Sequence, residues 1–513
     1  MERPYPSITP RRTVAVLAAG LLLAAVHQYF FYTQEYGISV LLFVCLFYMY
    51  ARLCAPERLR RPITWFGWLA LALILLLSLS LALFANPIFA GLNLLLLPCL
   101  IVAHITYLFA PQKRDWGDIR LVWDTLDHLI PQTFRHLATA FKLPGTLGYF
   151  KMKDQRKQVI GKVLLGLLVS LPLLIIVIAL LTSADSGFNQ LLMAWQNSLY
   201  RGLLIGDGPF RLIYIVVLGL LMFGYIWGFV NPRPDHPAPN IPDYPASVPA
   251  EVADFKFEPK LDPIIAATVL LVVNIVYVLF VALQFTYLFS AWQGVLPAGS
   301  SYAEYARNGF FELIVVTMIN FVLLAIVLTF TGDSGKGLRQ FNQILLYVVV
   351  GCSAVMLISA FTRLMLYEEA YGYTYIRFVS HAFMIYLAVL LVCAGLRIRF
   401  ASLPLTKCMI VVSLAAYLAV NYVSMDRIIL QQNIERYRVS GNIDVEYLAG
   451  LSLDAVPSLL KFSREQGNEN LGRELHERWD LLSRQDTSWQ SYNAAKAKAF
   501  HALKQDVIRQ SQN

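Results

Sequence analysis

The chain has 513 residues, of which 57% are hydrophobic and only 15% are charged. Soluble domains carry about 25% charged residues, so this composition excludes an ordinary water-soluble domain and points to a membrane. The net charge of +9 would suit nucleic acid, but many of the Lys and Arg residues stand in loops between apolar runs. The positive-inside rule accounts for them there, and no nucleic-acid partner is implied.

Apolar runs of about 20 residues recur without strand alternation, which predicts an all-α polytopic protein rather than a barrel. Eleven spans are expected, near Thr13–Phe31, Gly37–Leu53, Trp65–Phe84, Ile88–Ala110, Lys162–Thr182, Arg211–Val230, Ile264–Leu288, Gly309–Phe330, Phe341–Phe361, Thr374–Leu396 and Lys407–Met425. Arg11 and Arg12 before the first run resemble a signal sequence, but the run is long and lacks a clear cleavage site. It reads as a retained first helix. The basic groups before the first span, after the second, between the fourth and fifth and between the tenth and eleventh all fall on one side. That side is expected to be the cytoplasm, which puts the N-terminus inside and the C-terminus outside.

Between the fourth and fifth spans, Ile119, Val122, Trp123, Leu126, Leu129, Ile130, Phe134, Leu137 and Phe141 recur at helical spacing, with Pro131 expected to bend the stretch. An amphipathic helix on the cytoplasmic surface fits, and the basic run after it suits anionic headgroups. Asp124 and His128 stand one turn apart as a weak metal-ligand alternative; a solvated face is the plainer reading. After the fifth span, Asp185 or Ser186 can cap a short external helix reaching about Arg201. Residues 231–263 are crowded with proline, which prevents helix and predicts an extended cytoplasmic linker. It divides a first membrane half, 1–230, from a second, 264–425. From 426 to 513 the chain turns polar and helical, an expected external domain with Trp479, Trp489 and Tyr492 as aromatic anchors.

Charges at the mouths of spans are the main functional candidates. Glu304, Arg307 and Glu312 share one helix face at the start of the eighth span. On the expected topology, Asp185, Arg363, Glu368, Glu369, Arg377, His381, Asp426, Arg427, Glu435 and Arg436 lie toward the same side. Ionisable groups at such positions either bind a ligand or pair with one another to assemble the bundle. The ligand-binding candidates are Asp185, Glu304, Arg307, Glu312, Arg363, Arg377, His381 and Arg436. No catalytic residue is assigned, and no metal or cofactor is implied. Gly332-Asp-Ser-Gly-Lys-Gly337 has the wrong spacing for a phosphate loop, and zinc, Cys-x-x-Cys and Gly-x-Ser-x-Gly motifs are missing.

The stretches Tyr302-Ala-Glu-Tyr-Ala-Arg-Asn-Gly-Phe-Phe-Glu-Leu313, Tyr371-Gly-Tyr-Thr-Tyr-Ile-Arg377, Asn433-Ile-Glu-Arg-Tyr437 and Asp454-Ala-Val-Pro457 resemble motifs of an uncharacterised bacterial membrane family. That family is a domain of unknown function in the 4153/4173 group. The resemblance is strongest from Ser183 to Pro457 and weak in the first four spans. It implies a bacterial cytoplasmic-membrane protein and brings no assigned activity. The expected role is non-enzymatic sensing or transport through the outward-facing polar cluster, with the lipid bilayer and a small-molecule ligand or protein as partners. A membrane enzyme acting on a lipid-linked or envelope substrate is the alternative.

Overall fold

A computed structural model describes residues 9–59, 62–110, 114–146, 208–232, 261–292, 310–332, 334–467, 469–484 and 488–512, with isolated positions between 177 and 190. The expected span at 162–182, Asp185 and its external helix, most of the proline-rich segment, Glu304 and Arg307 lie outside the described residues. Among those residues the chain is helical, with one isolated bridge between Leu261 and Thr331. Nine helices among the described residues are long and apolar enough to cross a membrane. They coincide with nine of the expected spans; Ile38–Cys54, expected as the second, is a shorter apolar helix of 17 residues. The chain is a polytopic helical membrane protein.

Contacts divide the chain into two units. The first holds α1 (Pro10–Phe31), α2 (Ile38–Cys54), α3 (Trp65–Leu83) to Ala82, α4 (Pro87–Phe109) from Ala90, α5 (Arg120–Asp127), α6 (Thr133–Thr146) and α7 (Gly208–Val230). A π turn, His128–Gln132, joins α5 to α6 at Pro131. The expected bend is therefore a local rewinding, forced because proline cannot donate to the helical ladder. α7 carries the buried Phe223, Ile226, Trp227 and Phe229 and packs on α1 and α6. At Gly224 a Cβ would stand 2.6 Å from the Thr133 carbonyl oxygen, so only glycine lets the two backbones come this close.

Segment 488–493 belongs to this first unit. Ile38 N–H donates to the Tyr492 carbonyl (3.1 Å), Asn493 to that of Leu81 (2.9 Å), and Trp489 meets Phe30 edge-on at 5.5 Å. Of the three expected anchors of the tail core, Trp479 is there, 5.0 Å from Phe500, whereas Trp489 and Tyr492 are half-exposed beside α1 and α2. An aromatic side chain in a polar helical stretch does not by itself distinguish a tail core from a neighbouring helix end.

The second unit holds the connector 83–89, α8 (Pro263–Trp292), α9 (Phe310–Phe330), α10 (Lys336–Tyr371), α11 (Tyr375–Arg399), α12 (Leu405–Tyr422), α13 (Met425–Ser440), α14 (Val445–Ala449), α15 (Val456–Gln466), α16 (Glu469–Ser483) and α17 (Ala494–Gln512). α10 is its axis, packing on α8, α9 and α11 through Val349, Met356, Ala360 and Leu364. Polar links tie these helices. Tyr277 donates to Asn320 (2.5 Å), Asn320 to Ser353 (2.9 Å), and Asn274 to the Leu345 carbonyl (2.9 Å). Where hydrocarbon surrounds the bundle, apolar contact gives no preference for protein over lipid, so such bonds and close packing hold it together. α13 to α17 form a separate apolar core around Ile429, Leu430, Leu459, Leu471 and Leu475.

α10 has 36 residues, about 54 Å at about 1.5 Å per residue, against a hydrocarbon core of about 30 Å. The helix thus runs ten residues past the expected end of the span at Phe361. Arg363, Glu368 and Glu369 are not in a loop but in the continuing helix.

Candidate functional site

The C-terminal end of α10 turns into α11 over three residues, Gly372, Tyr373 and Thr374. The turn needs glycine twice over. Its φ is +83°, and a Cβ there would lie 2.6 Å from Asn433 Oδ1. Asn433, on α13, pairs with Tyr373 as a strand would. Its Oδ1 accepts the Tyr373 N–H (3.0 Å), and its Nδ2 donates to the Tyr373 carbonyl (2.9 Å).

One turn further along α13, Arg436 donates from Nε to the Glu369 carbonyl (2.9 Å) and from Nη2 to that of Ala370 (2.7 Å). These belong to the last turn of α10, whose carbonyls have no helical partner and carry the negative end of the helix dipole. Arg377, in the first turn of α11, bonds the Gly372 carbonyl and lies 4.3 Å from the Tyr367 ring centroid. Two guanidiniums therefore seal one helix end.

Beneath them, Glu368 is 3% exposed and its Oε2 lies 2.9 Å from His381 Nε2. Phe361 meets the same imidazole edge-on at 4.4 Å. Arg363 is buried on α10 between Phe361 and Glu368. A buried carboxylate is costly without a donor, and His381 supplies one.

A second node lies at the other end of α13. Asp426 accepts from Asn86 Nδ2 (2.8 Å) and from the Ser452 N–H (2.9 Å). Asp454 accepts from the Ala85 N–H (2.8 Å) and the Ser452 hydroxyl (3.3 Å). Burial pushes the Asp454 carboxyl above the usual range, the Ala85 bond opposing it. Asn86 Oδ1 in turn caps α4 through the N–H groups of Ile88 and Phe89. Between the nodes, the Tyr447 hydroxyl accepts from Tyr375 N–H (2.9 Å), and burial then Asp426 hold that phenol up to about 12.

The sequence candidates fare unequally. Arg363, Arg377, His381 and Arg436 stand at or just beneath this one helix end. Glu312 is exposed in the first turn of α9, and no hydrogen bond or ion pair among the described residues joins it to them. Asp124 and His128 do not face one another: Asp124 pairs with Arg114 (3.1 Å), while His128 stacks on Phe229 at 4.2 Å. Gly372, Asn433, Asn86 and Asp454 were not among the candidates. The signals existed: Asn-Pro at residues 86–87 is a helix-start pattern, and three of the four quoted motifs converge on the α13 connections.

A helical membrane bundle with a helical domain hydrogen-bonded to its hairpin turns is the class of protein these observations define. The family model described as Domain of unknown function (DUF4153) matches residues 71–462, most of the chain. The chain belongs to that family. No curated protein and no solved structure matches it.

Proposed function

We propose that this protein is a non-enzymatic sensor of a bacterial cytoplasmic membrane, in which the domain formed by α13 to α17 reports its state to the α10–α11 hairpin. The observation that carries the reading is the Arg436 fork on the Glu369 and Ala370 carbonyls. A helix that holds the last turn of its neighbour cannot shift without moving it. The polar groups here act on main chain and on one another, which suits a mechanical coupling better than a reaction centre. The distribution of Lys and Arg supports an external position for the domain and a cytoplasmic linker at 231–263.

Hydrogen exchange of the full protein in nanodiscs tests the coupling. Arg436→Ala is expected to raise exchange at 369–375 while leaving α8 and α9 unchanged. Unaltered exchange at 369–375 would remove the coupling and the sensor reading with it. A reporter active only outside the cytoplasm should be active after Asn513 and silent near Ala246; the reverse pattern would place the domain inside.

Transport is the second reading, favoured by the buried Glu368–His381 pair and the Tyr277–Asn320–Ser353 link within the bundle. Proton flux in proteoliposomes lost in Glu368→Gln, with exchange at 369–375 unchanged, would support it over sensing.

A further inference from the structure

The side of α13 turned away from the hairpin lines a cleft of about 280 Å³ with α15. Its apolar floor is Leu430, Ile434 and Phe462. Arg427 and Arg438 stand at the two ends, exposed, and neither guanidinium forms a hydrogen bond or ion pair with a described residue. They are eleven residues apart, hence on the same helix face and separated by about 16 Å along the axis. Lys461 adds a third cation on the α15 wall, at 3.8 Å from Glu465. Glu435, the other acid on the lining, already accepts from Gln431 (3.2 Å).

We infer that this cleft binds a short acidic peptide segment of a partner protein, its apolar side chains on Leu430, Ile434 and Phe462 and a carboxylate toward each of Arg427 and Arg438. Charge complementarity sets the chemistry: at each end an arginine without a hydrogen-bond or ion-pair partner among the described residues, Arg427 also within the field of the Asp454 carboxyl, an apolar middle, and a helix side that makes no contact with the hairpin turn. An extended peptide rises about 3.3 Å per residue and turns alternate side chains to one face, so two carboxylates four residues apart, about 13 Å, face the cleft within reach of the two long arginine side chains. The floor supplies burial and the arginines supply orientation and choice of sign. Asn433 and Arg436 project from the opposite side of the same helix, so an occupant here would bear on the element that holds the end of α10. That consequence rests on the sensor reading; the binding itself does not.

The test uses the full protein in nanodiscs and a fluorescein-labelled peptide with an aspartate at each end and leucine, phenylalanine and alanine between. The same peptide with lysines for the aspartates is the comparison. The acidic peptide is expected to bind more tightly, and Arg427→Glu with Arg438→Glu to weaken it by at least about tenfold. Ile434→Asp should abolish binding, and Phe500→Leu, in the tail core away from the cleft, should not. Equal affinity for the two peptides, no binding of either, or binding indifferent to the double reversal would overturn the inference. So would loss of affinity for anionic phosphatidylglycerol vesicles in the double variant with no preference for the acidic peptide, since the arginines would then be reading lipid. Binding that leaves exchange at 369–375 unchanged would overturn the sensor reading alone and keep the site.

Discussion

Two regions handle buried polarity in opposite ways. In the first unit, polar side chains of the π turn and the start of α6 lie inward: His128, Gln132, Thr133 and His136 are buried against α7, while Ile119, Val122, Trp123, Leu126 and Ile130, in and around α5, are exposed. His136 is 2% exposed, and burial, then the nearby Arg135 and His128 charges, hold its imidazole down to about 4 against the opposing Asn231 backbone. In the second unit, the turn at Gly372 keeps Arg377, Arg436 and Glu368, each given a main-chain or side-chain partner. One region remains polar by losing charge and the other by pairing it. Only the paired kind can transmit a movement, because a fork on two carbonyls has direction and a neutral ring packed on an aromatic has little.

The largest expected effect tests whether pairing is what holds the turn. His381→Ala leaves the Glu368 carboxylate buried without that donor, and breaking a buried pair costs about 3–5 kcal/mol. Thermal unfolding in detergent should show it, and Glu368→Gln with His381→Ala should recover part of the loss. No recovery in the double variant would mean the imidazole acts by packing on Phe361.

The next prediction uses pH to separate the regions. The folded His136 value lies below the unfolded value of 6.5, so its contribution is fully present above that value. It is lost as pH falls toward about 4, up to about 3 kcal/mol. Asp454 has the opposite sign. Its folded value lies above 3.8, so the folded state takes up the proton more readily and acid favours its node. Hydrogen exchange corrected for intrinsic rates should therefore show α5–α6 opening between about pH 6.5 and 4 while the connector 83–89 stays protected. His136→Leu should flatten the first response. Joint opening of both regions would erase the distinction.

Smaller still is Gly372→Ala. Backbone strain of about 1–3 kcal/mol at a positive φ with extended ψ, a region essentially confined to glycine, and the approach to Asn433 should loosen the turn without unfolding the bundle. Adding Asn433→Gly should relieve the contact and leave the strain, which unfolding of the two variants would resolve. Least of all, Trp123→Ala should change stability by no more than about 0.5 kcal/mol, because its ring is 68% exposed. It should instead reduce partition of an α5 peptide into vesicles. A large stability loss would show that the outward apolar row is covered by protein.

The spans were legible because length and hydropathy alone decide them. So were Arg363, Arg377, His381 and Arg436, since a charge at a span mouth is costly wherever it lies. The orientation of the amphipathic stretch from α5 to α6 was not. Its periodicity says that there are two faces, but in lipid the apolar one need not point inward. Asn433 and Gly372 were hidden for another reason. An asparagine on a polar helix and a glycine before tyrosine are ordinary locally; only a turn and a helix from 60 residues apart make them a pair. Glu368 stood among the span-mouth charges but not among the ligand-binding candidates, because its partner His381 lies on the next helix, across the Gly372 turn.

The bond between Asn86 and Asp426 spans 340 residues of chain. Ribosomes add about 5–20 residues per second, so the amide emerges roughly 20–70 s before the carboxylate exists. Throughout that interval α3 and α4 can already be threaded through the bilayer, while the connector between them has nothing to close on. The Asp454 bond to Ala85 comes later still, after a further 28 residues. The node is thus a record of completion: a nascent chain halted anywhere before residue 426 carries an open connector. Quality-control proteases that read exposed backbone at a membrane surface would have a direct way to tell a finished chain from an interrupted one.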